Sequence, residues 1–149
     1  MEAVILIGVQ ATGKSTFCKQ RFYDTHVRIN GDMLKTKHRE QLLLNACLEA
    51  QQPFVVDKTN VTREVRAKYI EAARSRGFRV AGYYFRSHLK ECIVRNDGRE
   101  GKARVPAAAI GGTLKQLQVP ALDEGFSELF FVSINTDNQF VVQEWNDEV

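Results

Sequence analysis

The chain has 149 residues, 44% hydrophobic and 26% charged, with 21 basic against 18 acidic side chains and a net charge of +3. This is the length of one domain, residues 1–149, with enough apolar side chain for a core that needs neither disulfides nor a structural metal. The composition excludes a disordered or collagen-like chain, and the small positive excess is compatible with an anionic substrate without demanding one.

Residues 3–8 (AVILIG) form a continuous apolar run stopped by glycine, the pattern of a strand buried on both faces at the centre of a parallel sheet. Residues 14–23 follow with helical spacing, and His26 to Asn30 alternates as a short second strand. Asp32 to about Gln51 has no internal Gly or Pro and predicts one long helix ended at Pro53. Phe54 to Asp57 is a third strand ending in a carboxylate. Thr62 caps a helix running to about Arg76, with Gly77 closing it. Phe78 to Phe85 is a fourth strand and Leu89 to Asn96 a short helix. Gly98 to Ala103 (GREGKA) is a polar, glycine-containing loop, and Pro106 starts a helix to about Leu117. Leu129 to Ile134 is a fifth strand, and Phe140 to Val142 returns from the Asn135–Asn138 turn as a terminal hairpin. Strand and helix alternate throughout. The expected fold is therefore α/β, a three-layer sandwich with a parallel core sheet.

Cys18, Cys47 and Cys92 are widely spaced and form no CxxC pair. They read as small buried hydrophobes in helices, which fits a reducing compartment. No apolar run approaches the ~20 residues that span a bilayer, and the N-terminus lacks a basic region. A cytoplasmic protein with no membrane association is expected, and no obligate protein partner is evident.

Gly8-Val9-Gln10-Ala11-Thr12-Gly13-Lys14-Ser15 fits G-x-x-x-x-G-K-[ST], and Thr16 extends it to GKST. Glycines let the backbone turn its N–H groups onto phosphate oxygens, Lys14 brings charge to the β- and γ-phosphates, and Ser15 offers a hydroxyl to Mg²⁺. The strand before and the helix after are the context this loop needs, so ATP and Mg²⁺ are the expected cofactors. The guanine-reading N-K-x-D motif is absent, which disfavours a GTPase.

Asp32 opens a helix after strand 2, so it is either a cap or the group that orients an acceptor hydroxyl in phosphoryl transfer. Asp57, at the sheet edge where open α/β folds bind ligands, is placed to assist Mg²⁺ or to position the acceptor. Thr59 and Asn60 either contact substrate or cap the next helix. Arg95, Arg99, Lys102 and Arg104 cluster around the polar loop, where a closing lid would bring charge to the transferring phosphoryl group. Lys35 and Arg39, with Lys37 and His38, lie early in the Asp32 helix and are candidate acceptor contacts or a solvated face. Arg66 is read as a contact residue or an exposed one.

Together these segments resemble the kinase domain of polynucleotide 5′-hydroxyl kinases, including the animal bifunctional kinase/phosphatase and the phage enzymes. The resemblance runs from Val4 to about Ile134. GVQATGKST looks like the family's ATP site, and VRINGDML like its strand-2 motif, which implies that Asp32 is the general base. FVVDKTN is similar to the family's aspartate-asparagine-threonine-asparagine motif, with Asp57 on the substrate-site aspartate. REVRAKYI carries Arg66 at a family arginine, and RNDGREGKARVP resembles the lid, with Arg104 its best match. KQLQVPALDEGFSEL matches a stretch that common P-loop chemistry does not require. The resemblance implies a P-loop fold of strand order 2-3-1-4-5 with a helical lid, and transfer of the ATP γ-phosphate to a nucleic-acid 5′-hydroxyl. Gly31 departs from the family's arginine and Lys58 from its asparagine, which opens the acceptor to a small molecule such as a nucleoside, sugar or antibiotic. An ATP-binding switch with little turnover is the third alternative. No D-x-D-x-T motif is present, so no 3′-phosphatase activity is expected.

Overall fold

A computed structural model of the chain describes residues 1–146, and Lys102 by its backbone only. Six strands form one sheet in the order β2-β3-β1-β4-β5-β6. These are β1 (Glu2–Ile7), β2 (Val27–Ile29), β3 (Phe54–Val56), β4 (Arg79–Phe85), β5 (Glu128–Ile134) and β6 (Phe140–Glu144). The first five are mutually parallel and β6 runs antiparallel to β5, so the expected order holds and the terminal hairpin closes one edge.

The unbroken apolar run of β1 is explained by its two covered faces. Ala3, Ile5 and Ile7 join Ile29, Phe54 and Val56 on one side, packed on α3 (Lys37–Ala50) and α4 (Arg63–Ser75). Val4 and Leu6 face the other side with Val55, Tyr83 and Phe85, beneath Phe17, Cys18 and Phe22 of α1 (Lys14–Phe22). Each such buried aliphatic contributes roughly 1.5–3 kcal/mol. A third, smaller cluster joins Val9 and Ala11 to Cys92 and Ile110, seating α5 (Leu89–Asp97) and α6 (Ala107–Gln116) against the loop after β1. All three cysteines are free and buried, and burial pushes the Cys18 thiol up to about 11.

The long helix expected from Asp32 is in fact two. A single turn, α2 (Gly31–Leu34), ends at Lys35 with φ 74, and α3 then starts afresh. The break has a local cause: the Thr36 side chain accepts from Arg39 N at 3.1 Å, so it caps a new helix instead of continuing the old one. Thr62 caps α4 as expected, accepting from Val65 N at 3.2 Å. Among the described residues no helix is long and apolar enough to cross a membrane.

Candidate active site

β2 and β3 end in register at Ile29 and Val56, and the parallel β1 runs two residues further to Ile7, so the loops that follow share the carboxyl edge of the sheet. The loop after β1 is tied down on both sides: Gly8 N donates to Thr59 O at 2.9 Å, and Val9 N to Ser87 Oγ at 3.3 Å. Ala11 (φ 63) and Gly13 (φ +93) take left-handed backbone and curl the loop into α1. At Gly13 the requirement is also steric, because a Cβ would stand 2.9 Å from the Phe140 ring of β6. Thr12 Oγ1 closes the loop on Val9 O at 3.0 Å. The Gln10 amide donates to Thr113 Oγ1 of α6 at 2.9 Å, joining the loop to the helical hairpin.

Lys14 Nζ lies inside this curl, donating to Val9 O at 2.7 Å and to Thr12 Oγ1 at 3.3 Å. Burial lowers its pKa to about 8; Asp57 resists that shift and the Arg99 charge adds to it. A lysine held this way gains from an anion that replaces its backbone partner. Ser15 and Thr16 are exposed on the next turn, and Ser15 Oγ donates to Asp57 Oδ2 at 2.9 Å.

Across the cleft, Asn30 donates to Asp57 O at 2.7 Å while its Oδ1 accepts from Met33 N, so one side chain both caps α2 and pins it to β3. Asp32, in this turn, is exposed and shares a cleft of about 680 Å³ with Gln10, Lys14, Ser15, Asp57, Thr59 and Arg99. Asp57 is 2% exposed and Thr59 half-buried. The two departures at positions 31 and 58 meet in space. Lys58 pairs with Glu40 at 3.1 Å, and a Cβ on Gly31 would stand 3.3 Å from the same carboxylate. Burial opposes the Lys58 ammonium, but Tyr69 and Glu40 outweigh it and raise its pKa.

Several expected site residues stand elsewhere. Asn60 is buried with φ 46, and its amide donates to Leu6 O at 2.7 Å, bracing the strand ends instead of facing the cleft. Arg66 is neither exposed nor in the cleft: it is sealed against Glu124 at 2.8 and 3.1 Å and donates to Asn60 O at 2.9 Å. Glu124 also accepts from Ala121 N, so the VPALDEG stretch is a latch on α4. Lys35 and Arg39 are exposed on the α2–α3 junction and do not line the cleft; Arg39 donates to Leu34 O. In the lid, Arg99 lines the cleft and Arg95 reaches Ala11 O at 3.5 Å. Arg104 is over half exposed, pairs with Asp97 at 3.3 Å and does not line the cleft. The Lys102 side chain lies outside what is described.

Sequence reasoning missed Arg28. From β2 it donates to Asp57 Oδ2 at 2.8 Å and lines the cleft. The available signal was an arginine inside a three-residue strand beside a strand that ends in aspartate, since a half-buried guanidinium must find an anion.

The arrangement suits a nucleotide with magnesium. Ser15 and Asp57 supply hard oxygen donors beside Lys14, and among the described residues no group of three or more His, Cys, Asp or Glu could hold a metal alone. Mg²⁺ fits such a sparse set, because it takes one or two protein oxygens and completes its shell with phosphate and water.

Residues 4–120 match the AAA_33 model, described as AAA domain. A bifunctional polynucleotide phosphatase/kinase of Schizosaccharomyces pombe is 26% identical over 134 residues, 86% of this chain and 32% of that protein. The transcription factor bHLH140 of Arabidopsis thaliana is 28% identical over 156 residues, 96% of this chain and 17% of that protein. The chain thus spans a third or less of these relatives. Among solved structures, Kti12 of Chaetomium thermophilum with ADP-AlF3 superposes with TM-score 0.66 at 11% identity, covering 88% of each chain. A chain of the Pnkp1/Rnl/Hen1 RNA repair complex gives 0.65 at 23% identity, covering 78% of this chain and 44% of that one. A gluconokinase of Sinorhizobium meliloti 1021 gives 0.59 at 19%, covering 87% and 82%. With a P-loop after β1 and more than half its length matched, the chain belongs to the AAA domain family as a P-loop protein of kinase-like fold, homologous to the polynucleotide phosphatase/kinase.

Proposed function

We propose that this protein transfers the γ-phosphoryl group of ATP to a 5′-hydroxyl of RNA or DNA. The observation that carries the reading is one cleft lined by both Lys14 of the phosphate loop and Asp32. Asp32 has no hydrogen-bond or ion-pair partner among the described residues and is exposed, which suits a carboxylate that must receive a substrate hydroxyl. The acceptor oxygen bonds to the γ-phosphorus, the bond to the β–γ bridging oxygen breaks, and the hydroxyl proton passes to Asp32. Because the transition state is loose, Asp32 mainly orients the nucleophile. Lys14 and Arg99 place positive charge on the transferring group; the choice of Arg99 over Arg104 is supported by Arg99 lining the cleft, which Arg104 does not. When bound, magnesium neutralises phosphate charge next to Ser15 and Asp57. The relative named a polynucleotide phosphatase/kinase supports the nucleic-acid acceptor. A reducing, cytoplasmic setting belongs to the same reading, given three free buried thiols.

Gly31 favours a second reading, a small-molecule acceptor, because position 31 offers no side chain to an acceptor phosphate. The test is incubation with γ-labelled ATP and a panel of 5′-OH RNA and DNA oligonucleotides, nucleosides, gluconate and neutral sugars. Label on the oligonucleotides is expected. Label confined to a small acid or sugar replaces this reading with the second. Tight ATP binding with no labelled acceptor indicates a switch.

A further inference from the structure

Asp57 Oδ2 is the most contested atom in the cleft. It accepts from Ser15 Oγ at 2.9 Å and from Arg28 Nε at 2.8 Å, with Arg28 NH2 also 2.8 Å away. The same NH2 stands 3.4 Å from Ser15 Oγ. One guanidinium therefore spans the two oxygens that suit Mg²⁺. Asp57 is 2% exposed, so its charge needs a cation at all times. Arg28 is different: its side chain is 37% exposed, and its outer nitrogen NH1 meets only the Met33 sulfur, at 3.8 Å.

The other cations of the cleft are committed. Lys14 is drawn into its loop, Lys58 is held by Glu40 and Tyr69, and Arg99 comes from the lid side, donating to Ala103 O at 3.0 Å. On the Asp32 side only Arg28, among the described residues, combines an open edge with a partner that another cation can take over.

We propose that Arg28 is the exchangeable counter-cation of the magnesium position: it competes with the metal for Asp57 Oδ2 and Ser15 Oγ, and once displaced it binds an anionic group of the acceptor beside Asp32. The exchange keeps Asp57 compensated throughout, so no buried charge is left bare. Were Asp57 to hold a divalent ion, the added positive charge would disfavour the Arg28 guanidinium at the same oxygen and leave it free to turn toward Met33 of α2. With no side chain at position 31, the cation for that half of the cleft comes from position 28. The second half of this proposal rests on the kinase reading above; the first does not.

Two measurements test the exchange. Calorimetric ADP binding over a series of Mg²⁺ concentrations is compared for the parent chain and Arg28→Gln. Removing the competitor lowers the half-saturating Mg²⁺ by about threefold or more, and any smaller change overturns the proposal. In the parent chain, the Arg28 Nε–H resonance, assigned by its loss in Arg28→Lys, moves on addition of Mg²⁺ with ADP but not of ADP with a chelator. A resonance that stays in place overturns the proposal even if the glutamine variant fails to fold. For an acceptor found by the labelling panel, Arg28→Gln raises KM about tenfold or more while kcat stays within about threefold, and Arg28→Lys recovers part of that loss. An unchanged KM removes the acceptor role. A panel with no labelled acceptor removes the kinase reading and leaves the magnesium measurements standing.

Discussion

Two arginine–carboxylate pairs are alike in chemistry and unlike in setting. Arg66 of α4 and Glu124 are 0% and 4% exposed, with guanidinium and carboxylate each satisfied by further bonds to backbone. At the end of β3, Asp57 is buried but Arg28 is open to the cleft and spans a second oxygen on Ser15. A sealed pair holds two elements in register and has nothing left to offer a ligand. A half-open pair is costly to leave unpaired but free to change partner. The lid supplies the third grade, Arg104 with Asp97, where both side chains are more than half exposed and the pair holds little.

The largest expected effect belongs to the carboxylate in the cleft that has no cation drawn to it. Asp32→Asn should lower transfer to a labelled acceptor by about 10²–10⁴-fold while ADP affinity measured by calorimetry stays near the parent value. A loss of only a few-fold would return Asp32 to the role of a first-turn acid of α2 and move the search for the base to Asp57.

Next comes the sealed pair. Arg66→Ala leaves the nearly buried Glu124 carboxylate with only Ala121 N and, at 3.9 Å, Arg63, and should cost about 3 kcal/mol of stability, read by urea unfolding. Turnover per folded molecule should change little. If instead the variant stays stable and loses activity, Arg66 belongs to the substrate site after all and the contrast between the pairs collapses.

The lid arginines separate by direction. On the proposed kinase function, Arg99→Ala should lower kcat by about 10²-fold, because Arg99 lines the cleft and its charge would act on the transferring group. Arg104→Ala should leave kcat within about twofold and stability within about 1 kcal/mol. The reverse ranking would mean that the lid rotates on closure and exchanges the two.

A further effect, read from pH and not from a substitution, is set by Lys14. Its pKa of about 8 in the folded chain lies below the ordinary 10.5, so the unfolded chain binds the extra proton between those values. Stability from this group therefore rises as pH climbs from about 8 toward 10.5. Nucleotide binding runs the other way, since phosphates need the ammonium. Affinity for ADP should be flat below pH 8 and fall by up to about tenfold per unit above it. A flat profile to pH 9.5 would show that Lys14 keeps its proton inside the loop.

What could be read without coordinates was whatever depends on local pattern. The unbroken AVILI run announced a strand covered on both faces, the GxxxxGKS spacing announced a phosphate loop, and Thr62 announced a cap, because each is decided by periodicity or by backbone groups within a few residues. The α2–α3 break escaped because Thr36 can sit inside a helix as easily as it can cap one, and only its bond to Arg39 N shows which. The partners of the arginines were beyond local pattern altogether. Arg66 meets a carboxylate 58 residues away and Arg28 one 29 residues away. A long flexible side chain pairs with whichever charge the tertiary fold brings within reach, so sequence by itself placed these cations on their elements, and only the tertiary fold, which set β2 beside β3 and the Glu124 turn against α4, decided which one the site can use.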